Sequence, residues 1–151
     1  GFMQNFRTWS RLAVMGCLLT LPGIIQAVSG QALSLTVKVQ HIAAERGSLM
    51  LALYNQAAGF PGEEQRAYRL LQVPAHAGEQ SLLLDDLPPG KYALAVYHDA
   101  NDDRKLNTNA LGIPKEGYGF SNNVRPRFSA PRFEEAAFVL AHDAQIVVTL
   151  R

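Results

Sequence analysis

Leu33-Ser34-Leu35-Thr36-Val37-Lys38-Val39-Gln40 sets an apolar residue at every second position and a polar one between each pair. Side chains alternate between the two faces of a strand, so this period of two puts Leu33, Leu35, Val37 and Val39 on one buried row. The next apolar run, GSLMLALY at residues 47–54, is nearly continuous and reads as a second, more deeply buried strand. Glu45-Arg46-Gly47 lies between them with turn chemistry, and the two strands are predicted to pair as a hairpin.

Working outward, residues 67–73 and 79–84 are strands on either side of a turn at residues 74–78. Residues 91–98 and 145–150 complete the clear set, and residues 133–140 are a further strand. The run Glu134-Glu135-Ala136-Ala137 could form a helical turn; β-forming residues on both sides place it at a strand edge instead. In Leu87-Pro88-Pro89-Gly90-Lys91-Tyr92, the Pro-Gly pair suits a turn needing positive φ, and the Tyr92 hydroxyl can reach back to the backbone as in a tyrosine corner. The expected fold is all-β: an antiparallel immunoglobulin-like or prealbumin-like sandwich of about seven strands, with one long irregular region at residues 99–132.

Arg7 and Arg11 precede an apolar run at residues 12–28, closed by the small residues Ala27, Ser29, Gly30 and Ala32. This is the order of a secretory signal peptide, and the reading is residues 1–32 as signal and residues 33–151 as the sandwich domain. A retained anchor is the competing reading, countered by the Pro22-Gly23 interruption; a lipoprotein reading of Cys17 is countered by the apolar residues that follow it. Cys17 is the only cysteine, so the domain after cleavage has no disulfide, thiolate or Cys-ligated zinc to draw on. Removing Arg7 and Arg11 from 14 basic residues leaves 12 against 13 acidic ones, a net charge of −1. Such a balance gives no general attraction to nucleic acid or to an anionic membrane. The expectation is export to the periplasm or beyond, with no nucleic-acid partner and no membrane association after cleavage.

Asp99, Asn101, Asp103 and Asn107 stand at the first, third, fifth and ninth positions of an EF-hand-like calcium loop. Lys105 would supply the backbone carbonyl at the seventh and Leu106 the apolar residue at the eighth. Arg104 stands where such loops carry glycine, and Ala110 where they carry a bidentate Glu, so a distant carboxylate such as Glu116, or water, would have to complete a Ca2+ site. The alternative is that the same Asp and Asn side chains make Asx-turns in a solvated loop.

The string YHDANDDRKLNTNALGIPKEGYGFSNN, residues 97–123, resembles the signature of the bacterial exported domain of unknown function 2141 family. The resemblance runs from about residue 33 to the end of the chain and implies a sandwich behind a signal peptide, with no activity to carry over. Arg104 departs from the glycine expected at that point of the signature.

Tyr118, Phe120 and Asn122, with Arg125, Arg127 and Phe128, form the candidate ligand-binding set, because arginines interleaved with aromatics can stack on sugars and pair with carboxylates. Arg132 and Phe133 extend the strip, whose bland reading is a solvated loop with ordinary ion pairs. For catalysis, His98 and Asp99 are adjacent, but strand neighbours point to opposite faces and would not form a dyad. The expected role is a non-enzymatic binding or accessory module presenting residues 99–132 to a glycan, peptide or protein of the envelope or outside the cell. The alternative is a metal-assisted hydrolase using His98, Asp99 and Glu116.

Overall fold

The computed structural model describes residues 31–104, 116–126 and 128–151. Residues 1–30 of the signal segment, and Asn107 and Arg127 of the candidate sites, lie outside the described residues. The chain forms β1 (Leu33–Ile42), β2 (Ser48–Tyr54), β3 (Arg69–Pro74), β4 (Gly78–Leu87), β5 (Gly90–Asp99), β6 (Tyr118–Phe120), α1 (Phe133–Ala136), β7 (Phe138–Leu140) and β8 (Ala144–Thr149). One sheet has the order β4-β1-β8; the other runs β3-β2-β5-β6, with β7 also on β5. This is the all-β sandwich expected from the alternation.

Strand β1 behaves as read: Leu33, Leu35, Val37 and Val39 are buried while Ser34, Thr36, Lys38 and Gln40 are half-exposed. They meet Leu49, Leu51 and Leu53 of β2 and Leu94 and Val96 of β5 in one core. Burying a Leu or Val is worth about 1.5–3 kcal/mol, so these rows carry much of the stability. The Tyr92 hydroxyl donates to the Pro88 carbonyl at 2.6 Å, closing the tyrosine corner.

Three expectations are corrected. First, β1 and β2 are not a hairpin but lie in opposite sheets. Every residue of β2 is buried, so it needs a central place flanked by β3 and β5, and β1 is already central between β4 and β8. Residues 43–47 therefore arch across the core rather than turn within one sheet, and residues 75–77 do the same between β3 and β4. Second, the sandwich is not wholly antiparallel: β8 runs parallel to β1 from Leu35↔Ala144 to Gln40↔Thr149. Third, residues 133–136 form a helical turn. Phe133 and Ala136, three apart, are both buried, and the Glu135 carboxylate accepts from the Arg132 N–H at 2.7 Å as a capping group.

The outer face of the larger sheet carries a second, smaller core of Tyr54, Ala93, Phe60, Phe120, Phe133 and Ala136. Phe60 is its hub, with ring centroids 5.3 Å from Tyr54, 6.2 Å from Phe120 and 6.0 Å from Phe133. Ser121 pins the cover to the sheet, accepting from the Leu94 N–H at 2.9 Å and donating to the Ala136 carbonyl.

Val37→Asp is expected to unfold the domain. Val37 is fully buried, and an unpaired buried charge costs several kcal/mol against a total stability of roughly 5–15 kcal/mol. Thr36→Asp on the opposite face should cost less than about 1 kcal/mol. Urea unfolding of both variants checks the pair, and equal damage would contradict the half-buried strand.

Candidate functional site

Register on the larger sheet arranges its outer face as cross-strand rows. Leu70, Ala52, Ala95 and Phe120 form one row; Gln72, Met50, Tyr97 and Tyr118 form the next; Pro74, Ser48 and Asp99 the third. Two alanines at the centre of the first row leave a depression beside the large side chains around them. The result is a trough of about 480 Å³ with Ala52 and Ala95 in its lining and Tyr97, Tyr118 and Phe120 along it. Residues 61–65 supply one wall through Pro61, Glu64 and Gln65, and Arg104 also borders it.

The wall is tied to the floor. Tyr97 donates its hydroxyl to Glu64 Oε1 at 2.7 Å, and Tyr54 donates to the Pro61 carbonyl at 3.1 Å. Burial, with Glu64 and then Glu63 nearby, pushes the Tyr54 phenol up to about 12. Burial and the hydrogen bond to Glu64 likewise hold the Tyr97 phenol well above the usual tyrosine range. Both are neutral hydrogen-bonding groups at physiological pH.

Beyond the trough lies the acidic loop. Asp99 is fully buried, and its Oδ1 accepts from the Asp103 N–H at 3.2 Å while its Oδ2 accepts from the Arg104 N–H at 2.6 Å. Asn101 Oδ1 shares the Asp103 N–H at 3.4 Å. These are the Asx-type bonds of the alternative reading. Asp102 and Arg104 take positive φ, 55° and 58°, so the sharp turn is made at the sixth position although that residue is arginine. Ser48 Oγ donates to Asp102 Oδ1 at 2.7 Å, fastening the loop to β2. Gly47 lies beneath it: its φ is 69°, and a Cβ there would stand 2.0 Å from the Asp99 carbonyl oxygen.

Among the described residues, Asp99, Asp103 and Glu116 bring one carboxylate oxygen each within 4.8 Å of one another. The structure thus gathers Asp99 and Asp103 with the distant carboxylate expected to complete the set. Three carboxylates with neighbouring amide and backbone oxygens are the donor type of a hard divalent cation.

His98 is apart from this cluster. It shares the inner-facing row of Leu94 and Val96, is buried, and its Nε2 is hydrogen-bonded to the Arg46 carbonyl at 2.7 Å. His98 and Glu116 both border an open depression at that end of the sandwich. With Nε2 spent on a carbonyl, only Nδ1 is left for proton transfer.

The binding set is divided by the fold. Tyr118 and Phe120 line the trough, with ring centroids 5.8 Å apart, and Arg125 borders a second cleft with them. Asn122 is a structural tie: at φ 60° its amide donates to the Glu135 carbonyl at 3.2 Å and the Ala137 carbonyl at 2.8 Å. Phe128 projects fully into solvent, away from both cavities. Sequence reading missed Ala52, Ala95, Tyr97 and Glu64. The available signal was alternation inside β5, where Ala93, Ala95, Tyr97 and Asp99 fall on one face and Tyr92, Leu94, Val96 and His98 on the other.

The family model described as an uncharacterized protein conserved in bacteria (DUF2141) matches residues 37–148, and the chain belongs to that family. No curated protein and no solved structure matches it.

Two measurements test this geometry. The raised Tyr54 pKa means that the stability it reflects is fully present below pH 10 and is lost as pH rises through about 12. Denaturation curves between pH 8 and 12 should show that decline, and Tyr54→Phe should make it shallower, leaving the share that Tyr97 contributes. For the acidic loop, a calcium ion held by the three carboxylates at a hundredfold over its Kd would stabilise the fold by about 2.7 kcal/mol. Melting after chelation and calcium return should then show a rise that Asp103→Asn with Glu116→Gln removes. The Asx-turn reading expects no response in either protein.

Proposed function

We propose that the protein is an exported, non-enzymatic binding module whose ligand is a glycan chain seated in the trough over β2, β5 and β6. One observation carries the reading: a depression floored by Ala52 and Ala95 is bordered by Tyr97, Tyr118 and Phe120 and faced by Glu64, Gln65 and Arg104. Apolar surface with a few fixed polar groups is the composition of a small-ligand site. Aromatic faces take the C–H side of a sugar ring, while carboxylate, amide and guanidinium groups bond its hydroxyls. The tyrosine hydroxyls are held in place before any ligand arrives, Tyr97 on Glu64 and Tyr54 on Pro61, which lowers the cost of ordering the site on binding. Export rests on the character of residues 1–32.

The site chemistry favours binding over turnover. The phenols are pushed away from ionisation, and His98 faces the inner core with one nitrogen committed to a carbonyl.

The domain should be titrated with panels of oligosaccharides and of peptides, followed by backbone NMR shifts. Glycan-induced shifts should centre on Ala52, Ala95, Tyr97 and Tyr118. Ala95→Leu, which fills the floor, and Tyr118→Ala should each weaken binding at least tenfold with the melting temperature little changed. A response to peptides alone would refute the glycan reading. Cleavage of the bound glycan that is lost in His98→Gln would favour the hydrolase alternative.

A further inference from the structure

The trough does not end at β6. A second cleft of about 230 Å³ lies on the other side of that strand, bordered by Asn123, Arg125, Pro126 and Arg151. It shares Tyr118 and Phe120 with the trough, so the two depressions flank one three-residue strand. The strand is held from both sides: it pairs with β5, and Tyr118 exchanges both backbone hydrogen bonds with Arg151, at 3.1 and 3.0 Å. Gly119 is what lets it lie so low. A Cβ there would be 2.7 Å from Val148 Cγ1 and 3.0 Å from the Thr149 carbonyl oxygen. The path from the trough to the second cleft therefore runs over Tyr118 and Phe120.

Three arginines, Arg104, Arg125 and Arg151, lie along that path. Lys38, Arg66, Lys91 and Arg132 each face a carboxylate, those of Glu79, Glu63, Glu134 and Glu135. Among the described residues Arg46, Arg69, Arg104, Arg125 and Arg151 face no carboxylate, and three of these five border the two depressions, Arg104 the trough and Arg125 and Arg151 the cleft. No acidic side chain borders the second cleft among the described residues. Glu64, the carboxylate of the trough, is on the wall at residues 61–65 and accepts from Tyr97, while Asp99 takes the Arg104 backbone N–H and not its guanidinium. A guanidinium presents a planar fork that matches a carboxylate bidentately.

We infer that the ligand is an acidic glycan of the uronate type, laid across Tyr118 and Phe120 with carboxylates paired to Arg104 on one side of β6 and Arg125 on the other. The inference rests on the glycan reading of the trough and adds the charge class and the direction of the chain. Charge complementarity at two places, and not net charge, selects the ligand, since the domain as a whole carries −1.

Calorimetric titration with a galacturonate hexamer and a neutral galactose hexamer tests it. The uronate is expected to bind at least tenfold tighter, to weaken as salt rises from 50 to about 300 mM, and to lose most of its advantage in Arg104→Gln and in Arg125→Gln. Both substitutions are at exposed positions, and a melting temperature within about 2 °C of the parent in each separates lost charge from lost fold. Equal or tighter binding of the neutral hexamer, or a uronate preference untouched by either substitution, overturns the acidic assignment and leaves the trough reading standing. Binding of neither hexamer overturns both.

Discussion

Covering β2 and β5 on both faces is the constraint from which the rest of the molecule follows. Their inner rows, Leu49, Leu51 and Leu53 with Leu94 and Val96, take the smaller sheet as their cover. Their outer rows contain Ala52, Ala93 and Ala95, which are too small to shield the backbone beneath them. The chain supplies that shield with Phe60 from the connection after β2, Phe133 and Ala136 from the connection after β6, and Phe120 from β6 itself. Where the shield is complete there is a second core. Where it stops, the same small residues floor an open trough, so fold and candidate site are two outcomes of one pattern of side-chain size.

The acidic loop is joined to this arrangement by backbone geometry. Gly47 lets the arch after β1 pass against the Asp99 carbonyl, Ser48 then reaches Asp102, and Gln72 donates to Ser48 at 3.2 Å from the neighbouring strand. Asp99 closes the chain of contacts by holding the amides of Asp103 and Arg104. A change at this loop therefore reaches the border of the trough through Arg104, whatever the loop itself holds.

Much of this was legible in the residues, and the remainder was hidden for identifiable reasons. The alternation at residues 33–40 gives strand and buried face together because side-chain direction is a local property. The tyrosine corner at Tyr92 is equally local, and so is the oxygen spacing that brings Asp99 and Asp103 into one turn. Which strands pair is not local: Glu45-Arg46-Gly47 has turn chemistry, but whether a link turns within a sheet or arches across the core depends on how many neighbours β2 requires. The helical turn at Phe133 was lost to the β-forming residues around it, since one capping carboxylate on Arg132 outweighs their propensity. The trough escaped notice because its floor is alanine, a residue that reads as filler until cross-strand register sets Ala52 beside Ala95.

The parallel pairing of β8 with β1 has a mechanical consequence. Parallel neighbours place the start of β1 and the end of β8 at opposite ends of the same ladder, which is continuous from Leu35↔Ala144 to Gln40↔Thr149. A pull applied to the domain through these two strands acts along the ladder, so its hydrogen bonds share the force and must shear together rather than unzip one by one.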